Sequence, residues 1–172
     1  MRWHKRPIDS AAVSDLARRY DIDLLTAAIL ERRGATAPEE IRFYLDSDLA
    51  MLHDPFLFTD MPDVVERILA AAEEGERVFV FGDRDVDGIT STAIMVRTLR
   101  ELGIDTLWEV PEGDAAYGLS LAAVERARAA DVTLIITVDC GITNVEEIAA
   151  ARDAGIDTIV VDHHNPKEVL PA

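Results

Sequence analysis

From Glu76 onward, four short apolar runs alternate with segments of helical period, and this alternation leaves few folds open. The runs are RVFVF, DTLWEV, VTLIITV and TIVV; between them lie ITSTAIMVRTLREL, closed by Gly103, then LSLAAVERARAA, then NVEEIAAARDA, closed by Gly155. Runs this short, nearly continuous in apolar residues, belong to strands buried on both faces. Strands alternating with helices predict an α/β fold, a parallel sheet flanked by helices and joined by right-handed crossovers.

Before Gly75 only helices are predicted. Ser10 is the expected cap of one helix through Tyr20, and Asp21 or Asp23 that of another through Arg33, with Gly34 as its stop. In TAPEEIRFYL, Thr36 is the expected cap, Pro38 lies in the first turn and Glu39 completes a capping box. HDPFLFTDMP reads as a loop, and a further helix is expected over 62–74. The expected organisation is a helical leader, 1–75, followed by the sheet domain, 76–172.

Three of the four apolar runs end in unusual chemistry: RVFVF in GDRDVDG, VTLIITV in DCG and TIVV in DHH. Ligands of open parallel sheets collect outside the carboxyl ends of the strands, so the fold itself gathers Asp83, Asp85, Asp87, Asp139, Asp162, His163 and His164. Carboxylates with imidazole and no thiolate suit Mn²⁺ best and Mg²⁺ next, ahead of Zn²⁺ or Fe²⁺. A cluster this rich has ligands for two ions about 3.5–4 Å apart, the arrangement that drives phosphoester hydrolysis. Gly82 and Gly88 permit tight backbone around the first loop. Thr90, Ser91 and Thr92 stand near the start of the next helix, where N–H groups hold anions. Taken singly, each residue has a bland reading: Asp87 or Asp139 as a helix cap, His163 or His164 as a loop histidine. The recurrence at equivalent strand ends is what weighs against it.

Charge and composition bound the rest. The net charge is −16, which argues against a broad basic nucleic-acid face. Residues 1–33 carry +2, leaving −18 on the remainder, part of which bound divalent cations would offset. The lone cysteine, Cys140, excludes an internal disulfide framework and fits a reducing cytosol. With no Cys–His–Asn pattern around it, Cys140 reads as a small buried thiol. The basic start MRWHKRPIDS leads into no apolar h-region, and no apolar run is long enough to span a membrane. His4 and His53 have no chemical neighbours in sequence and read as surface or packing residues. There is no G-x-x-x-x-G-K-[ST] and no G-x-G-x-x-G. D-x-D-x-D-G opens like an EF-hand loop, but Ile94 stands where its closing carboxylate belongs and no helix precedes it.

GDRDVDG, TVDCGI and VVDHH, in that order, resemble the DHH phosphoesterase superfamily and, within it, the RecJ-like single-strand-specific exonucleases. The leader LERRGATAPEEIRFYLDSDLAMLHDPFLFTDM is similar to the RecJ leader as well. The resemblance implies a DHH-type domain in which Asp85 and Asp87 ligate metal, with Asp83 as a neighbouring aspartate. It implies that Asp139 bridges two ions, that His163 ligates, and that His164 ligates or contacts phosphate. Asp162 is then the acceptor that orients a histidine. The implied cofactor is Mn²⁺ or Mg²⁺, two ions in the complete protein. The implied reaction is hydrolysis of single-stranded DNA from its 5′ end, in repair and recombination, with a cytoplasmic location and no membrane partner.

The departures are specific. Arg84 replaces an aromatic, Val86 an Ala, and Cys140 an Asn; VPEGDAAYGLS lacks the family's Arg and is one residue shorter. Arg84 is a candidate for a carboxylate or a substrate phosphate. The family continues beyond HHNPKEVLPA with a further ligand aspartate and a second domain, so the chain reads as the N-terminal part of such a protein, its partner being the rest of its own chain. Two competing readings are a DHH phosphodiesterase for short oligonucleotides or cyclic dinucleotides, and a catalytically degenerate scaffold.

Overall fold

The computed structural model describes residues 7–113 and 116–171; His4 and most of the basic start lie outside these, as do Asp114 and Ala115. The chain forms two compact units, Met1–Leu57 and Phe58–Ala172.

The first unit holds α1 (Ser10–Tyr20), α2 (Leu24–Arg33) and α3 (Pro38–Leu45), followed by 3₁₀ turns at Leu49–Met51 and Pro55–Leu57. Val13 and Leu16 of α1 pack with Ala27 and Leu30 of α2, Ala35, and Ile41 of α3. The caps differ by a residue or two from those expected. Asp9, not Ser10, caps α1 by accepting from Ala11 and Ala12 N–H, while Asp23 caps α2 and Asp21 ends α1 in the left-handed region. Ala37, not Thr36, occupies the cap position of α3, and Glu40, not Glu39, reaches back to the N–H groups of Thr36 and Ala37 at 3.0 Å each. The stretch expected as a plain loop, 53–62, contains the second 3₁₀ turn and runs into the start of the next helix at Met61.

The second unit contains α4 (Met61–Glu74), β1 (Arg77–Gly82), α5 (Val86–Glu101), β2 (Asp105–Glu109), α6 (Leu121–Ala129), β3 (Leu134–Val138), α7 (Val145–Asp153) and β4 (Asp157–Val161). The four strands form one parallel sheet in the order β2-β1-β3-β4. Alternation along the strands sorts their side chains to two faces. Val78, Val80, Leu134, Ile136 and Val138 meet Ala71 of α4 and Val96 and Leu99 of α5. Phe79, Phe81 and Ile135 meet Ala123, Val124 and Ala127 of α6 and Ile148 and Ala151 of α7. Each large side chain so buried stabilises the fold by about 1.5–3 kcal/mol. Helix α4, placed with the leader in the sequence reading, therefore packs on the sheet: Val64, Ile68 and Ala72 join Ala71 against that first face.

β1 and β3 are adjacent, but β2 lies outside β1, so the chain reverses direction across the sheet between them. Such a switch point opens a crevice at the carboxyl ends of the two strands. Asp83 follows β1 and Asp139 follows β3 at that crevice.

Candidate metal centre

Two close approaches of backbone shape the first loop. A Cβ on Gly82 would run into Thr92 Oγ1, and one on Gly88 into the Asp83 carbonyl, so α5 lies directly against the end of β1. Helix α5 starts at Val86, three residues earlier than expected, and this divides the roles of the three aspartates. Asp83 is buried. Asp85 is the cap of α5, accepting from Gly88 N–H at 3.0 Å. Asp87 lies inside the first turn, two residues and about 200° of helical rotation on from the cap.

Asp139, 7% exposed, occupies the left-handed region with φ 60°. Its N–H donates to the Val161 carbonyl at 2.8 Å, which fastens the end of β3 to that of β4. Ligand-type atoms of Asp83, Asp85 and Asp139 lie within 4.8 Å of one another, and so do those of Asp139, His163 and His164. Asp139 thus belongs to both groups. Among the described residues Asp87 joins neither.

Burial of Asp139 raises its pKa from the ordinary carboxylate range, and the Asp85 charge pushes the same way. Asp85, stabilised by Gly88 N–H, is shifted down. Burial and a like charge thus separate the two neighbouring carboxylates, one raised and one lowered. Asp83 Oδ1 and Asp139 Oδ2 are buried with no hydrogen-bond partner among the described residues. Buried carboxylate oxygens without partners are costly, and a divalent cation satisfies both. The donor set therefore fits Mn²⁺ or Mg²⁺.

The second group is braced from behind. Asp162 accepts from Ile142 N–H and His164 N–H at 3.0 Å each and sits 2.8 Å from His164 Nδ1. Burial works against its charge, yet these bonds hold its pKa below the usual range, and Asp162 in turn raises that of His164. His163 Nε2 lies 3.0 Å from Asp139 Oδ1.

Sequence reasoning omitted two residues from the site. Tyr117 donates its hydroxyl to the Asp139 carbonyl at 3.1 Å and is 2.9 Å from His164 Nδ1. Buried Asn144 fixes the loop that carries Tyr117, accepting from Leu119 N–H at 3.1 Å and donating to its carbonyl at 2.9 Å. The Tyr-Gly-Leu triplet was the available signal for Tyr117; Asn144 has none. Thr90, Ser91 and Thr92 all bond back to carbonyls of α5, those of Val86, Asp87 and Gly88, so their hydroxyls stabilise the helix start. Arg84 donates from Nη1 to the Gly113 carbonyl at 2.7 Å. Cys140 is fully buried, its thiol pKa pushed up to about 12 by that burial, which makes it inert as a nucleophile.

The family model described as "DHH family, N-terminal domain" matches residues 77–172. The single-stranded-DNA-specific exonuclease RecJ of Bacillus subtilis is 35% identical over 172 residues, 99% of this chain and 22% of that protein. RecJ of Escherichia coli is 44% identical over 110 residues, 63% of this chain and 19% of that protein. The crystal structure of RecJ in complex with Mn²⁺ from Thermus thermophilus superposes with a TM-score of 0.66 at 31% identity, covering 95% of this chain and 22% of that one. The chain thus spans about a fifth of the length of these relatives.

Proposed function

This chain belongs to the DHH family, and from that premise we propose that it forms the metal-binding first part of a single-strand-specific DNA exonuclease. The observation that carries the reading is Asp139, shared by two clusters of ligand-type atoms at the switch point of the sheet. Asp83, Asp85 and Asp139 would hold one Mn²⁺ or Mg²⁺, and Asp139, His163 and His164 a second. Asp87 belongs with the helix start. Divalent ions held there would supply the withdrawal of charge from a phosphodiester and the lowering of a water molecule's pKa.

The protein's own groups do the positioning. Asp139 is held rigid by its N–H bond to Val161 and by Tyr117 at its carbonyl. Asp162 fixes the ring of His164 and supports its charge. The relatives named above are described as single-stranded-DNA-specific exonucleases, which supports the substrate class; digestion from the 5′ end follows from the motif resemblance.

The test uses the full-length protein with Mn²⁺ and oligonucleotides labelled at either end. Shortening of single strands from the 5′ end, and its loss in Asp139→Asn, is expected. Hydrolysis of dinucleotides or cyclic dinucleotides alone would replace this reading with the short-substrate phosphodiesterase, which the charge of −16 favours. Absence of Mn²⁺ binding would sink both and leave the scaffold.

A further inference from the structure

Resting on the proposed nucleic-acid substrate, we propose that Arg84 is this domain's contact to a backbone phosphate of the bound strand, aimed by the carbonyl of Gly113. The four connections at the carboxyl edge of the sheet include, among the described residues, 83–85, 110–113 with 116–120, 139–144 and the stretch after Val161. Among the described residues their acidic side chains are Asp83, Asp85, Glu112, Asp139, Asp162 and Glu168, and their cations are Arg84 and Lys167. Lys167 lies on the exposed stretch after β4. Arg84 instead stands in sequence between Asp83 and Asp85, whose ligand atoms fall with one of Asp139 within a single 4.8 Å group.

A polyanion meets repulsion at such an edge unless cations receive it. Metal ions account for the scissile phosphate; a neighbouring phosphate needs its own donor. Arginine suits that role because its planar guanidinium matches phosphate oxygens in a fixed fork. Asp83 is buried while Arg84 is exposed, so the two consecutive side chains lie in different surroundings. Its 2.7 Å bond to Gly113 spans from the first loop to the second and orients the group. Neither the second loop nor 139–144 has an Arg or Lys among its described residues, and the bond to Gly113 carries the cation of the first loop to the second. Arg84 is in this role a specificity residue and not a metal ligand.

The experiment compares full-length wild type, Arg84→Ala and Arg84→Lys. Binding of 5′-labelled oligo(dT) is followed by fluorescence anisotropy in EDTA at several salt concentrations. The oligonucleotides are unmodified or carry one neutral methylphosphonate, moved stepwise from the 5′ end. Mn²⁺ affinity is measured by calorimetry. Arg84→Ala is expected to leave Mn²⁺ affinity unchanged, to weaken oligo(dT) binding about tenfold, and to reduce the slope of log K against log salt by about 0.7. One methylphosphonate position should weaken wild type to the same extent and have no effect in Arg84→Ala, and Arg84→Lys should recover part of the slope. An unchanged slope in Arg84→Ala overturns the proposal, as does a methylphosphonate response equal to wild type. Loss of Mn²⁺ affinity in Arg84→Ala also overturns it, since the residue would then be a brace for the metal loop. Wild-type protein that neither binds nor shortens oligo(dT) overturns the underlying exonuclease reading, and this one with it.

Discussion

His163 Nε2 and Asp139 Oδ1 lie 3.0 Å apart, although one follows β4 and the other β3. The pairing depends on the β3–β4 ladder, which ends with Val138 opposite Val161 and so brings both following loops to one edge. The other Asp139 oxygen, Oδ2, is buried without a partner among the described residues.

That arrangement sets stability against function. A buried acceptor left without a partner costs about 1–3 kcal/mol. Asp139→Asn removes the charge, keeps the shape and tolerates the left-handed backbone. Without metal the variant is expected to melt above wild type by about 2–4 °C. Saturating Mn²⁺ should reverse the order, because only wild type gains the binding term. In the full-length protein the same change should lower the rate by at least about 10²–10³-fold. Thermal unfolding with and without Mn²⁺ checks the first part; a variant less stable than wild type in both conditions would contradict it.

The pH dependence of metal binding follows from the raised pKa of Asp139, caused first by burial and then by Asp85. A raised carboxylate holds its proton to higher pH, so metal must displace that proton where ordinary carboxylates are already ionised. Mn²⁺ affinity is therefore expected to fall as pH falls, beginning above the ordinary carboxylate range. Calorimetry in buffers of different ionisation enthalpy counts the protons released. His164, whose pKa Asp162 raises, adds to the release, so the diagnostic is the difference between wild type and Asp139→Asn, which should lose one component of it.

How far this centre is legible in sequence depends on which physical link is asked about. The strands are plain because both faces are buried and their apolar runs are unbroken: Leu134–Val138 is buried throughout. Their carboxyl ends, and hence Asp83, Asp139 and His163, are fixed by the same runs. The order β2-β1-β3-β4 is not, because it depends on where α6 crosses the sheet. The D-x-D-x-D spacing leaves open where α5 begins; with Val86 as its first residue, Asp85 becomes the cap and Asp87 is carried round the helix. Tyr117 and Asn144 act across 22 and 25 residues of chain, on Asp139 and Leu119 respectively, and no local pattern marks either contact.

Asp162 acts through His164. Both of its oxygens accept from backbone N–H groups, and Oδ1 also meets the His164 ring. Asp162→Asn must turn an NH₂ toward Ile142 N–H or toward His164, leaving a donor facing a donor. Because Asp162 is the first cause of the raised pKa of His164, the variant should titrate His164 at lower pH. Mn²⁺ affinity should fall about 10–100-fold. Histidine NMR titration with calorimetry tests both; a purely structural residue would leave the His164 titration unmoved in the folded protein.

At the opposite edge of the sheet, Arg67 of α4 supports the fold without touching the centre. Its guanidinium bonds Glu76 at 2.8 and 3.2 Å and Asp157 at 2.7 Å, while Thr133 also donates to Glu76. The pair is well covered, at 25% and 15% side-chain exposure, so solvent screens it less than a surface bridge. Arg67 and then Thr133 hold the Glu76 pKa below the usual range. A depressed carboxylate contributes stability that is present above its unfolded pKa, about 4.3, and is lost as pH falls through the folded value. Glu76→Gln is expected to cost about 1–3 kcal/mol at pH 7 and to lose less than wild type on going from pH 7 to pH 3. Urea unfolding followed by circular dichroism at the two pH values measures this. Mn²⁺ affinity of the folded variant should equal that of wild type, which separates a brace of α4 from the chemistry at the far end of the strands. An affinity change as large as that of Asp162→Asn would show that the two edges are coupled through the sheet.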